Sequence, residues 1–227
     1  MFSHIKAAII DLDGTMIDTA PDFLVAINRM REDFALAPLT LDVIKTMVGK
    51  GSENLIHKVL SQDFDADGVA ARFDGALAAY QHHYLAINGD HSQLYPEVHE
   101  GLQAMRDLGL RLVCVTNKPL AFALPLMQKK EIFHYFEQVY GGDSFAKKKP
   151  DPLPMQEACK ALDLPPSQVL VIGDSSNDAI AARASGCPVL TVPYGYNHGE
   201  AVQNIQSDGI VGTLLIAAQL LATEKPL

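Results

Sequence analysis

The chain has 227 residues, 48% hydrophobic and 20% charged, a balance that belongs to a soluble globular protein able to bury a core without disulfides or a structural metal. A net charge of −9, with no basic stripe carrying interleaved aromatics, argues against nucleic acid or an anionic membrane as a partner. The three cysteines, Cys114, Cys159 and Cys187, are widely spaced, form no Cys-x-x-Cys pair and sit in or beside apolar runs, so they read as buried reduced thiols.

No secretory signal is legible over Met1–Ile10, and the longest apolar stretch, Thr213–Ala222, is too short to span a bilayer. The expectation is a cytoplasmic protein acting on a small molecule. Lys6–Ile10 is a short apolar run that stops at Asp11-Leu12-Asp13-Gly14-Thr15, the pattern of a buried strand entering a tight turn. From Ala20 to about Asn88 the character changes. Ala20–Met30, Leu41–Met47, Asn54–Leu60 and Val69–Ile87 carry apolar residues at helical spacing, and no good strand interrupts them. A Gly, Asp and Ser cluster over Gly89–Leu94 marks the exit. Strand-like runs then follow at Arg111–Thr116, Gln138–Gly141 (weaker), Val169–Gly173 and Pro188–Val192. They alternate with helical patterns at Glu97–Leu108, Leu120–Lys130, Leu153–Leu162 and Asp178–Ser185; Thr223–Leu227 are expected to fray.

Strands apolar along their whole length are covered on both faces, which predicts an α/β fold: a Rossmann-like core with a mainly parallel sheet between helices. The boundaries are residues 1–17 and 93–227 for the core and 18–92 for a helical insert after the first strand. Ligands of such sheets bind beyond the carboxyl ends of the strands. Four strand ends deliver Asp11, Asp13 and Thr15; Thr116, Asn117 and Lys118; Lys149; and Asp174, Ser175 and Asp178 to one rim. Carboxylates converging there repel one another unless a cation lies among them, and all-oxygen ligation suits Mg²⁺. A hydroxyl and an ammonium beside that metal suit a phosphoryl group. A carboxylate can attack phosphorus, and a second carboxyl two residues away can protonate the departing oxygen and then activate water.

Asp11-Leu12-Asp13-Gly14-Thr15, Thr116, Lys149 and Gly173-Asp174-Ser175-Ser176-Asn177-Asp178 resemble, in order and spacing, the four motifs of the haloacid dehalogenase-like hydrolase superfamily. Asp18–Asp22, Val115–Pro119, Gly141–Asp143, Lys148–Pro150 and Tyr194–Glu200 are similar to segments of its bacterial phosphoglycolate phosphatase branch. The resemblance implies Asp11 as nucleophile and metal ligand, and Asp13 as general acid and base whose backbone carbonyl also binds Mg²⁺. It implies Thr116 and the Asn117 backbone as holders of the phosphoryl group, with Lys149 neutralising it. Asp174 would bind the metal directly, and Asp178 would orient metal-bound water. The helical insert would be a small cap that closes over the substrate, a small phosphate ester such as 2-phosphoglycolate.

Several residues have plainer readings. Within Lys147-Lys148-Lys149, Lys147 reads as solvated surface and Lys148 is open, while Lys149 abuts the proline segment. Gly49-Lys50-Gly51-Ser52 reads as a helix C-cap followed by a Ser52 N-cap, or as a loop from which Lys50 reaches a negative group on the substrate. The eight histidines show no metal-ligand spacing; His57 reads as a surface residue, and His82 and His83 point apart on a helix. Tyr194–Glu200 reads as a supporting loop. Asp13 argues against a haloalkanoate dehalogenase, which does without the second aspartate, whereas a sugar-phosphate mutase shares all the core motifs. A regulatory binding protein on this fold should have lost one of Asp11, Asp13, Lys149 or Asp174, and none is missing. Monomer and homodimer both stay open.

Overall fold

The computed structural model describes residues 2–197 and 199–224. Its strands are β1 (Ala7–Ile10), β2 (Ile17–Asp18), β3 (Gln93–Leu94), β4 (Arg111–Val115), β5 (Gln138–Tyr140), β6 (Val169–Gly173), β7 (Val189–Thr191) and β8 (Gly209–Ile210). Its helices are α1 (Ala20–Asp33), α2 (Leu41–Lys45), α3 (Ser52–Leu60), α4 (Ala66–Ile87), α5 (Val98–Asp107), α6 (Leu120–Lys129), α7 (Leu153–Ala161), α8 (Ser176–Ser185) and α9 (Leu214–Glu224).

The core is a parallel six-stranded sheet in the order β5-β4-β1-β6-β7-β8. Strands β1 and β6 at its centre are apolar throughout, and β4 is apolar after its exposed first residue, Arg111, because helices cover both faces. Ala8 and Ile10, Leu112 and Cys114, and Leu170 and Ile172 enter one cluster with α5, α6 and α9. Ala7 and Ile9, Val113 and Val115, and Val169 and Val171 enter the other with α7 and α8. The side-chain period of two along a strand divides each run between two cores. This is the Rossmann-like sandwich that the alternating pattern predicts.

Helices α1 to α4 pack around a third cluster that includes Phe23, Ile27, Ile56, Val59, Tyr80 and Tyr84; from the core it receives Phe122 and Tyr196. The chain enters and leaves this helical unit side by side, because β2 pairs antiparallel with β3, Ile17 with Leu94 and Asp18 with Gln93. Buried Asp22 at the start of α1 secures the return segment, accepting hydrogen bonds from Gly89 N (2.8 Å), His91 N (2.8 Å) and Ser92 Oγ.

The structure differs from the sequence expectations in a few places. The two-residue strands β2, β3 and β8 carry no periodicity by which to see them. The apolar stretch Thr213–Ala222 lies largely within α9, whose Leu214, Ala217, Ala218 and Leu221 complete the first cluster. Helix α8 starts at Ser176, two residues before the expected Asp178, because Ser175 precedes it and Asp178 occupies its first turn. Gly51, not Ser52, is the N-cap of α3, and Ser52 is its first helical residue. Of the segment expected to fray, 225–227 lie outside the described residues. The three cysteines are buried free thiols, and the fold brings Sγ of Cys159 and Cys187 to 3.7 Å. Among the described residues no helix is long and apolar enough to cross a membrane.

Candidate active site

The chain runs from β1 outward to β4 and β5 on one side and to β6 and β7 on the other, so the direction of crossover reverses at β1. A crevice opens at the carboxyl end of such a switch point. Asp11 follows β1, Thr116 follows β4 and Asp174 follows β6, three neighbouring strands. The turn after Asp11 is held by Gly14 N donating to Ile17 O at 2.9 Å. Gly14 has φ +87, and a side chain there would meet the Asp174 carboxylate, 2.3 Å from an ideal Cβ. Gly195 approaches the same carboxylate, with its notional Cβ 2.2 Å from Asp174 Oδ2. Two glycines therefore cradle Asp174, and Thr15 Oγ1 donates to its Oδ1 at 3.2 Å.

Lys149 is buried at the centre of this group. Its Nζ donates to Asp178 Oδ1 and to the Val115 carbonyl, both at 2.7 Å, and stands 2.8 Å from Asp11 Oδ1. The Asp11 contact is an ion pair in distance but not aligned as a hydrogen bond, which leaves Asp11 Oδ1 buried without an aligned donor. Asp178 takes Ser175 Oγ (2.8 Å) and Ser175 N (3.2 Å) on its other oxygen.

The carboxylates of Asp11, Asp174 and Asp178 each offer an oxygen within 4.8 Å of the others. Three acids face the single ammonium of Lys149, and the imbalance shows in the ionisation of Asp11 and Asp174. Burial pushes the Asp11 carboxyl up to about 7, against the pull of Lys149 and with the help of Asp178. Burial, then the charges of Asp178 and Asp11, push Asp174 well above the usual carboxylate range. Burial alone would lower Lys149, but Asp11 and Asp178 hold it above the ordinary lysine value. An all-oxygen donor set with an excess of buried negative charge, one of its oxygens lacking an aligned donor, fits a hard divalent cation.

A cleft with about 450 Å³ of empty space, part of it open to solvent, lies over these groups. Asp11, Asp13, Thr116 and Asn117 line it from the core, and Phe23, Val48, Gly49, Gly51, Ser52, Leu55 and Tyr80 from the helical unit. The loop before α3 is docked onto the core through the Gly49 carbonyl, which accepts from Asn117 Nδ2 (3.0 Å) and Asn177 Nδ2 (3.1 Å). Asn117 Nδ2 also donates to the Lys149 carbonyl at 2.8 Å, so one amide ties three segments of the rim together.

Asp11, Asp13, Thr116, Asn117, Lys149, Asp174 and Asp178 thus gather at one rim. Lys50 does not join them: its side chain is exposed, and its charge acts on Lys58. The flanking glycines, both at positive φ, present the loop backbone rather than the lysine to the cleft. Lys147 pairs with Asp151 on the surface, and Lys148 reaches Glu53 of α3 at 2.9 Å. His57 is exposed and His83 pairs with Asp33. From the segment 194–200, Tyr196 N donates to Asp174 Oδ2, Tyr194 Oη to the Thr15 carbonyl (3.0 Å), and Asn197 Oδ1 accepts from Ser176 N (3.0 Å). His198 lies outside the described residues.

Sequence reasoning gave no role to Lys118. Its Nζ donates to both oxygens of Asp13, at 3.0 and 3.2 Å, with its side chain 2% exposed. The signal was its place two residues after Thr116, directly beyond a buried strand.

The sequence profile of the haloacid dehalogenase-like hydrolases matches residues 5–186. A phosphoglycolate phosphatase of Nitrosospira multiformis is 45% identical over 217 residues, 96% of each chain. The chain belongs to the haloacid dehalogenase-like hydrolase family. Another member, a phosphoglycolate phosphatase of Thiobacillus denitrificans, is 43% identical over the same share of both chains. Among solved structures of the family, a predicted phosphoglycolate phosphatase from Haemophilus somnus superposes with a TM-score of 0.90 at 29% identity, over 97% of this chain and 99% of that one.

Proposed function

We propose that the protein is a magnesium-dependent phosphatase that hydrolyses a small phosphate monoester, 2-phosphoglycolate, through a phosphoryl group carried on Asp11. The observation that carries this reading is the Asp11 carboxyl itself. It stands at the end of the central strand, 2.8 Å from the buried Lys149 ammonium, with Asp174 and Asp178 beside it and Asp13 two residues on. The relatives' names supply the substrate, since phosphoglycolate phosphatases are similar to this chain over nearly its whole length.

In this reading Asp11 attacks phosphorus, and Asp13 gives its proton to the departing alcohol oxygen. Asp13 then takes a proton from the water that cleaves the acyl phosphate, so two modest displacements replace one difficult one. Thr116 and the Asn117 backbone hold the transferring oxygens, and Lys149 offsets their charge. Asp11, Asp174 and the Asp13 carbonyl would hold Mg²⁺, with Asp178 orienting its water. The ion would supply charge neutralisation of the phosphoryl oxygens. Residues 18–92 act as a cap on the core of residues 1–17 and 93–227, excluding water while the acyl phosphate exists. The buried free thiols suit a reducing cytoplasm, and the acidic surface suits a small substrate over nucleic acid or membrane.

The test is phosphate release with and without magnesium over 2-phosphoglycolate, pyrophosphate, pyridoxal phosphate, nucleoside monophosphates and sugar phosphates, with Asp11→Asn as control. A large kcat/KM advantage for 2-phosphoglycolate that vanishes in the control is the expected result. Comparable turnover of several esters would retain the phosphatase and remove its named substrate; magnesium-independent turnover, or turnover surviving Asp11→Asn, would remove the mechanism.

A further inference from the structure

Two buried lysines flank the candidate phosphoryl site, and their surroundings differ. Lys149 donates to Asp178 and to the Val115 carbonyl and stands at ion-pair distance from Asp11, so three separate groups meet its charge. Lys118 is just as buried, but its acceptors among the described residues are the two oxygens of one group, the Asp13 carboxylate. It also lies against two aromatic faces, with Nζ 4.6 Å from the Phe23 ring centroid and 4.7 Å from that of Tyr84. Both rings come from the helical unit, so the ammonium sits at the junction of unit and core. Among the described residues that line the cleft, Lys118 is the one cation.

A buried ammonium is costly unless its charge is met. Aromatic faces stabilise it only in part, and Asp13 is the group that must turn to the leaving oxygen in the proposed chemistry. The cation is therefore held beside the reacting centre with a borrowed partner and with capacity for another acceptor. We infer that Lys118 is the residue that recognises a carboxylate on the alcohol side of the substrate. On binding, the ammonium passes from Asp13 to that carboxylate, and Asp13 is freed to face the ester oxygen. Phe23 and Tyr84 hold the ammonium in place in both arrangements. Specificity then lies in a core lysine seated by rings of the helical unit, and not in the exposed Lys50.

This inference rests on the phosphatase reading, and a matched pair of substrates separates the two. Ethyl phosphate has nearly the shape of 2-phosphoglycolate with a methyl group in place of the carboxylate. The wild type should prefer 2-phosphoglycolate by kcat/KM, and Lys118→Met should lower that preference about 10- to 100-fold, mainly through KM, the range expected for one charge-assisted contact. Lys118→Arg should recover part of the preference, which a purely structural role would not tie to the carboxylate. Lys118→Gln serves in its place if Lys118→Met does not fold. A preference that stays within about twofold of wild type in the charge-free variants, even with both rates reduced, overturns the inference and leaves the phosphatase intact. So does a wild type that shows no preference between the two esters. A wild type that hydrolyses neither ester with magnesium overturns the phosphatase reading and this inference with it.

Discussion

Replacing Asp11 with Asn should abolish turnover and, at the same time, stabilise the metal-free protein at neutral pH. The argument starts from the crowding of Asp11 with Asp174 and Asp178 around one lysine. Burial and the neighbouring charge raise the Asp11 carboxyl from 3.8 to about 7. An acid whose pKa is higher in the folded state contributes its full stability below the unfolded value and loses it as pH rises through the folded one. For Asp11 that window runs from about 4 to about 7, and the loss across it is about 4 kcal/mol. Asparagine keeps the shape of the neutral carboxyl and cannot ionise. In EDTA at about pH 8 the variant should therefore melt about 10 °C above wild type, at about 2–4 °C per kcal/mol for a chain of this size. Near the low end of the window wild-type Asp11 is itself protonated, and the difference should shrink towards zero. Magnesium at about pH 8 should raise the wild type more than the variant. Calorimetry or dye-monitored melting at the two pH values, with and without magnesium, measures all of this. A variant that melts below wild type in EDTA at about pH 8, or a difference equal at both pH values, would refute the electrostatic account.

Lys149→Met removes the cation from between Asp11 and Asp178, and should cost about 3–5 kcal/mol in the metal-free protein as well as activity. Urea unfolding should show this loss, with magnesium restoring part of it. Asp22→Ala leaves Gly89 N, His91 N and Ser92 Oγ without their shared acceptor; it should cost about 2–4 kcal/mol and speed amide exchange over residues 89–92. Mass-spectrometric exchange reads that segment directly, and protection equal to wild type would count against the tie.

The two helical layers and the parallel sheet were legible because burial on both faces leaves a plain mark: β1, β4 and β6 have almost no polar position. Asp11 and Asp174 were legible because each ends such a strand abruptly, where a charged group has no packing reason to be. The two-residue pairing of Ile17–Asp18 with Gln93–Leu94 was not, since its partners lie far apart in the chain and neither has a pattern of its own. Lys50 and Lys118 show the same boundary within the site. Both are lysines beside turn residues, and local sequence makes Lys50 the more conspicuous of the two. Its exposure, and the burial of Lys118 against Phe23 and Tyr84, follow from how the helical unit docks on the core.

The sequence alone determined the class of fold, and it marked the rim of the candidate site with the acids and lysine that stand there, because strand periodicity and the residues that follow each strand are local properties of the chain. Tertiary structure decided which charges meet. Asp13 finds Lys118, Asn117 and Asn177 both find the Gly49 carbonyl, and Cys159 finds Cys187, pairs separated by 28 to 128 residues in the chain. The energy of a buried charge depends on what lies within a few ångströms of it, and that neighbourhood exists only once the sheet has formed and the helical unit has settled over the carboxyl ends of its central strands.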